Sequence, residues 1–220
     1  MGHRKYFILY PFSLIYRIIT DIRNFLFDSR ILHSHEFSIP IISVGNITVG
    51  GTGKTPHVEY LVELLRNKYK VAVLSRGYKR RSKDFRIIGR DSSVWDAGDE
   101  PLQIAKKFPD VLVAVDRDRV HGTEKILNDF PGTGVIILDD AYQHRRIKPG
   151  LSILLTDFNR PLTRDHLLPY GRLRENKSNR KRADIIMISK IPPDIPEFHL
   201  DAVRKEMNPS LQQKLFFTSV

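Results

Sequence analysis

Gly45-Asn46-Ile47-Thr48-Val49-Gly50-Gly51-Thr52-Gly53-Lys54-Thr55-Pro56 combines glycines, a lysine and a hydroxyl at a spacing suited to phosphate chemistry. Glycines let successive backbone N–H groups curl around phosphate oxygens, and a following helix adds positive potential at the same point. Lys54 is placed to reach the outer phosphates of a nucleotide and Thr55 to ligate Mg²⁺, so Gly50, Gly51, Thr52, Gly53, Lys54 and Thr55 form the candidate nucleotide-binding set. Strict G-x-x-x-x-G-K-[ST] spacing puts its first glycine at position 48, where this chain has Thr48. Pro56 suits a first helical turn, because its missing N–H has no partner to lose there.

A second acidic feature answers the first. Val135 to Leu138 is an apolar run that ends in Asp139-Asp140, the arrangement with which a P-loop protein holds Mg²⁺ beside bound phosphates. Without the glycine loop the same pair would close a strand as a turn. Gly98-Asp99-Glu100-Pro101 precedes a helical stretch, and residue types alone favour Asp99 as its N-cap with Glu100 near the positive helix end. The functional alternative makes Asp99 a base that accepts a proton from an attacking hydroxyl. Two basic segments, Arg76 to Arg90 and Arg164 to Arg182, follow expected strands, where ligands of an open α/β sheet bind. Ser189-Lys190-Ile191-Pro192 has the lysine of a guanine reader without its aspartate, which argues against a regulatory GTPase.

These groups need a scaffold, and its elements are legible in the apolar pattern. Ile39 to Val44, Val71 to Ser75, Val111 to Val115, Val135 to Leu138, Leu151 to Thr156 and Ile185 to Ser189 are short β-branched runs of the kind buried in parallel sheets. Pro56 to Lys68, Glu100 to Phe108 and Val120 to Asp129 read as helices between them. The alternation predicts a three-layer α/β fold, P-loop NTPase-like, with a mostly parallel sheet. Arg160 to Arg182 lacks a strong period and reads as a long functional loop. Pro192, Pro193 and Pro196 mark a turn or linker, and the chain stops inside a further strand-like run, Leu215 to Val220.

Ahead of this core, Phe7, Ile8, Leu14, Ile15, Ile18, Ile19, Ile22, Phe25 and Leu26 share one face at 100° per residue, opposite Ser13, Arg17, Thr20, Asp21, Asn24 and Asp28. Pro11, Arg17, Asp21 and Arg23 interrupt the run, so a spanning helix is not expected. The periodicity leaves two partners open for the apolar face, the protein's own core or a membrane interface assisted by Arg4, Lys5, Arg17 and Arg23. The expected organisation is an N-terminal amphipathic segment over 1–36, a P-loop core over 37–191, and a linker with the start of a truncated C-terminal subdomain over 192–220.

Composition bounds the function classes. Among 220 residues, 36 Lys plus Arg against 25 Asp plus Glu give a net charge of +11, which points to an anionic partner. The absence of Cys excludes a disulfide framework, a Cys-ligated metal and a thiol nucleophile. No nucleic-acid reader motif or aromatic platform is present, so nucleic acid is not expected as a partner, nor is an obligate protein partner.

Gly45-Asn46-x-x-x-Gly-Gly-x-Gly-Lys-Thr-Pro, Ser75-Arg76-Gly77-Tyr78, Gly98-Asp99-Glu100-Pro101, Leu138-Asp139-Asp140-Ala141-Tyr142-Gln143-His144 and Leu168-Pro169-Tyr170-Gly171-Arg172-Leu173-Arg174-Glu175 occur in that order. Together with the amphipathic helix they resemble the tetraacyldisaccharide 4′-kinase family of lipid A biosynthesis, over residues from about 10 to 190. The resemblance implies ATP and Mg²⁺ as cofactors and a lipid-linked acylated disaccharide 1-phosphate as acceptor, phosphorylated at its 4′-hydroxyl. It implies a peripheral enzyme on the anionic cytoplasmic face of the bacterial inner membrane. Carried onto this chain, Lys54 and Asp99 are catalytic, Asp99 now as base. Thr55, Asp139, Asp140 and Glu175 serve the metal, and Arg76, Tyr78, Gln143, His144, Arg172 and Arg174 are substrate candidates. Ala141 stands where the family usually has glycine and Arg172 where proline is common. Members of the family continue beyond this C-terminus into a second domain whose histidine supports the catalytic aspartate. The glycine loop also resembles deviant Walker ATPases of partitioning and division-site systems, a membrane-associated switch being the alternative function. Those proteins carry a second lysine where this chain has Val49.

Overall fold

The computed structural model describes residues 8–78 and 80–219, so Arg4, Lys5, Phe7, Lys79 and Val220 lie outside the described residues. The chain divides into two compact units built from interleaved segments.

One unit comprises Ser34–Gly45 and Lys54–Ser152. Its strands are β1 (Ile41–Asn46), β2 (Val71–Ser75), β3 (Arg86–Ile87), β4 (Leu112–Val115) and β5 (Val135–Asp139), in the spatial order β3-β4-β2-β5-β1. β4, β2, β5 and β1 pair in parallel, and the two-residue β3 runs antiparallel to β4. Every residue of β2 and β5 is buried, which is why these strands read as continuous apolar runs. The register sets Val44 beside Asp139, Leu74 beside Leu138 and Ser75 beside Val115, so the carboxyl ends of four strands lie level. Helices α2 (Lys54–Leu65), α3 (Val94–Ala97), α4 (Asp99–Lys107) and α5 (Arg119–Asp129) complete this unit. Its core packs Leu74, Ala114, Val120, Ile126, Ile136 and Leu138 together. The Asp118 side chain caps α5 by accepting the Val120 N–H at 3.0 Å.

The other unit contains the N-terminal helix, the glycine loop over 46–53 and the segment from Ile153 onward. β6 (Leu151–Asp157), β7 (Ile185–Ser189) and β8 (Lys214–Phe217) pair in parallel in that order. The segment expected as one long loop holds two short 3₁₀ turns, Leu162–Arg164 and Lys177–Arg182, and fully buries Leu162 and Leu173. Past the prolines the chain forms α6 (Glu197–Met207), with Pro196 as its N-cap, before β8.

Helix α1 (Tyr10–Asp28) turns the usual amphipathic arrangement around. Its buried residues are Ser13, Asn24 and Phe27, while Phe12, Leu14, Ile15, Ile18, Ile19, Ile22 and Phe25 are exposed. Polar contacts hold the inward side: the Ser13 hydroxyl donates to the Leu167 carbonyl at 2.8 Å, and the Tyr16 hydroxyl to the Arg174 carbonyl at 2.9 Å. No helix among the described residues is long and apolar enough to cross a membrane.

Candidate active site

The glycine loop leaves β1 and enters α2, whose first residue is Lys54. Gly50 and Gly53 adopt φ of 119° and 77°, the region where a side chain is strained, so these two glycines are demanded by the backbone path. The departure at Thr48 has a local reason. Thr48 forms an antiparallel bridge with Leu173, flanked by hydrogen bonds from Val49 N–H to the Arg172 carbonyl at 2.8 Å and from Arg174 N–H to the Ile47 carbonyl at 2.7 Å. Extended backbone at that position needs no glycine. Asn46, also buried, donates from Nδ2 to the Thr52 hydroxyl at 2.7 Å and ties the two ends of the loop.

At the carboxyl ends of β1, β2 and β5 the acidic pair comes into place. Lys54 is buried, and its Nζ lies 3.5 Å from Asp140 Oδ1. Asp140 follows β5 at φ 47°, a left-handed conformation that turns the chain at the strand end. Asp139 is 1% exposed; its Oδ2 accepts the Ser75 hydroxyl at 3.1 Å and its Oδ1 has no hydrogen-bond partner. Burial pushes the Asp139 carboxyl up to about 7, with the nearby charges of Glu100 and Asp140 adding to the shift and Lys54 opposing it. Below this pair sits buried Arg119, which donates to the carbonyls of Asp116 and Asp139, both at 3.2 Å. Burial lowers its guanidinium to about 10, opposed by Asp139 and Asp140. Beside it, His121 Nδ1 and Asp116 Oδ2 are 2.6 Å apart.

Among the described residues no three histidine, aspartate or glutamate side chains group as a ready-made metal site. Mg²⁺ does not require one, because it is commonly held by one or two carboxylates with phosphate oxygens and water. The residues here fit that use: Asp139 presents a buried oxygen without a partner, Asp140 adjoins it, and Thr55 offers a hydroxyl from the first turn of α2.

Asp99 is the first residue of α4, not its N-cap; Gly98 takes the cap position. Its carboxylate is exposed and lines a groove of about 520 Å³ with Val94, Leu102, Gln103, Lys106 and Lys107. Of the adjacent acidic residues it is Glu100, half-buried, whose charge acts on Asp139. Arg76 and Tyr78 are exposed beyond β2, and Gln143 and His144 are half-buried in the turn after β5. In the other unit, Arg172 and Arg174 flank the bridge to the glycine loop, and Glu175 is buried next to them. Glu175 Oε2 accepts from Arg182 at 2.6 Å, Asn179 at 3.0 Å and Asn24 at 3.4 Å, while Oε1 has no hydrogen-bond partner.

The structure therefore joins Lys54, Asp139 and Asp140, and adds Ser75, Glu100 and Arg119, none of which sequence reasoning assigned to the site. Glu100 carried a signal, since it adjoins Asp99 in an acidic pair, but helix-end electrostatics accounted for it equally well. Arg119 carried none beyond its place at the start of a helix.

A family model described as tetraacyldisaccharide-1-P 4′-kinase matches residues 5–217. The tetraacyldisaccharide 4′-kinase of Phocaeicola vulgatus is 54% identical over 214 residues, covering 96% of this chain and 58% of its own length. That of Flavobacterium johnsoniae is 48% identical over 213 residues, covering 97% of this chain and 63% of its own length. The chain thus spans about three fifths of these relatives. LpxK from Aquifex aeolicus, in a crystal structure in complex with ATP, superposes with a TM-score of 0.77 at 32% identity, covering 96% of this chain and 80% of that one. The 54 kDa signal recognition particle protein of Aeropyrum pernix K1, in complex with GDP, matches with a TM-score of 0.50 at 14% identity, over 83% of this chain and 42% of that one; at that distance the fold alone is shared.

Proposed function

The chain belongs to the tetraacyldisaccharide-1-P 4′-kinase family, and from that premise we propose that it forms the nucleotide-binding part of a kinase that transfers the γ-phosphoryl group of ATP to the 4′-hydroxyl of a tetraacylated disaccharide 1-phosphate. The observation that carries this reading is the placement of buried Lys54 against Asp140, with Asp139 beside it, where a glycine loop enters a helix. Phosphoryl transfer asks a protein for positioning and charge compensation more than for covalent chemistry. Lys54 and the loop amides meet the phosphate oxygens, and Asp139, Asp140 and Thr55 are the residues that would hold Mg²⁺. When bound, Mg²⁺ neutralises charge on the outer phosphates. Burial, with the charges of Glu100 and Asp140, raises the proton affinity of Asp139, so a bound cation would take the place of that proton. Asp99, exposed on the first turn of α4, accepts the proton of an acceptor hydroxyl entering from the groove side. Arg76, Tyr78, Gln143 and His144 supply polar contacts to the sugar phosphate.

The exposed apolar arc of α1 supports a peripheral seat on the membrane that carries the acceptor, at the cytoplasmic face where ATP is supplied. An interfacial helix gains mainly from apolar burial, and basic side chains near anionic lipids add only about 1 kcal/mol each. An assay of the full-length protein with ATP and the disaccharide should show turnover that requires both the lipid and Lys54. ATP hydrolysis indifferent to the disaccharide would overturn the kinase reading in favour of an ATPase switch. For the membrane part, Ile18→Asp combined with Ile22→Asp should release the protein from anionic vesicles in sedimentation while ATP titration stays unchanged; retained vesicle binding would move the anchor to the basic loops.

A further inference from the structure

Ser189 ends β7 and Lys190 follows it, and their sequence supplies only half of a guanine reader. In the structure they reach the glycine loop of their own compact unit. The Ser189 hydroxyl donates to the Thr52 carbonyl at 2.9 Å. The Lys190 ammonium donates to the Gly51 carbonyl at 2.5 Å and to Asp157 Oδ2 at 2.8 Å. Asn46 Nδ2 lies 3.4 Å from the Gly50 carbonyl. Three successive carbonyls of the loop are therefore each held by a side chain from outside the glycine run.

A trans peptide is planar, with its carbonyl and its N–H pointing in opposite directions. Holding the carbonyls of Gly50, Gly51 and Thr52 outward turns the N–H groups of Gly51, Thr52 and Gly53 the other way, and amides aligned in succession make an anion-binding concavity. Without these anchors, a run of glycines would sample many peptide orientations, and the phosphates would have to order it on binding. Lys190 is itself in a left-handed conformation, φ 61°, unusual for a residue with a Cβ. Asp157, 5% exposed at the end of β6, holds its ammonium in place. Burial pushes the Asp157 carboxyl up, but the donations from Lys190 and the Asn159 N–H, with the charges of Lys190 and Arg160, together hold it below the usual range.

We propose that Lys190, braced by Asp157 and seconded by Ser189, is a positioning residue that presets the amides of the glycine loop for the nucleotide's phosphates. The inference rests on the ATP-binding reading of that loop. It separates Lys190 from Lys54: one aims the backbone, the other meets the phosphate.

The test is competition of ATP, ADP and adenosine against a fluorescent nucleotide, using full-length wild-type, Lys190→Met and Lys54→Ala proteins. Lys190→Met should weaken ATP and ADP by roughly tenfold, the equivalent of about 1.4 kcal/mol, and leave adenosine unchanged, because adenosine has no phosphate to meet the amides. Unchanged ATP affinity would overturn the proposal, and so would an equal loss for all three ligands, which would mean a general loosening of the protein. Undiminished ATP affinity in Lys54→Ala would overturn the phosphate-loop reading itself, and this proposal with it. If circular dichroism shows that Lys190→Met does not fold, Ser189→Ala removes a single anchor and must show a smaller loss of the same selectivity; equal affinities in that variant and wild type would overturn the proposal.

Discussion

Glu175 and Asp139 are both buried carboxylates with one oxygen left without a hydrogen-bond partner, yet their surroundings are opposite. Glu175 has the Arg182 guanidinium at 2.6 Å and two asparagine amides beside it. Asp139 accepts a neutral hydroxyl from Ser75, while the acidic groups Glu100 and Asp140 crowd it against the opposing charge of Lys54, and Arg119 donates to its backbone carbonyl, not its carboxylate. A carboxylate matched by its own arginine is a strut. One crowded by other carboxylates is a place for a cation brought from outside, because only an added positive charge relieves both burial and repulsion. The same residue chemistry thus meets two different electrostatic surroundings. The expectation that Glu175 serves the metal comes from the family resemblance, and its remaining oxygen is compatible with it.

The contrast can be broken most directly at Asp139. In the full-length enzyme Asp139→Ala should lower phosphoryl transfer by about 10²- to 10³-fold while folding is retained, the scale on which removing one preorganised electrostatic group acts. Near-wild-type turnover would take Asp139 out of the site. Next in size, Arg182→Met strands the Glu175 charge and should destabilise the protein by roughly 3 kcal/mol, read as a lowered urea midpoint. If the midpoint stays put, the arginine is not what neutralises Glu175. The smallest effect sharpens the sign of the difference. Asp139 has a folded-state value of about 7 against an ordinary 3.8, so in metal-free protein the folded chain holds a proton that the unfolded chain has lost across that window. Stability therefore falls as pH rises through it. Asp139→Asn should raise the melting temperature of the metal-free protein at about pH 8 and have little effect near pH 4, as measured in the presence of a chelator. An equal effect at both pH values would remove the charge argument.

Much of this was legible because it is local in the chain. The glycine run before Lys54-Thr55 and the carboxylate pair after Val135 to Leu138 announce themselves by spacing, and the six strand-like runs all appear as strands. Other elements were hidden for physical reasons. β3 has two residues and α3 four, too short for any period to show. α6 begins immediately after Pro196, so a proline cluster that reads as a linker also serves as a helix start. Thr48 looked like a defect in the phosphate-loop pattern until its pairing with Leu173 accounted for it.

The apolar stripe of α1 marks where the sequence stops and tertiary structure begins. Composition and periodicity determined that this helix has two faces, that a phosphate loop precedes a helix, and that an acidic pair closes β5. These follow from neighbours within a few turns or a single strand. Tertiary structure alone decided that Ser13 and Asn24 face inward and the isoleucines outward, that Asn24 meets the buried Glu175, and that Lys190 grips the loop at Gly51. Each of those outcomes rests on partners far apart in the chain, 151 residues for Asn24 and Glu175 and 139 for Lys190 and Gly51, and the free energy of burying a polar group depends on which partner folding delivers to it.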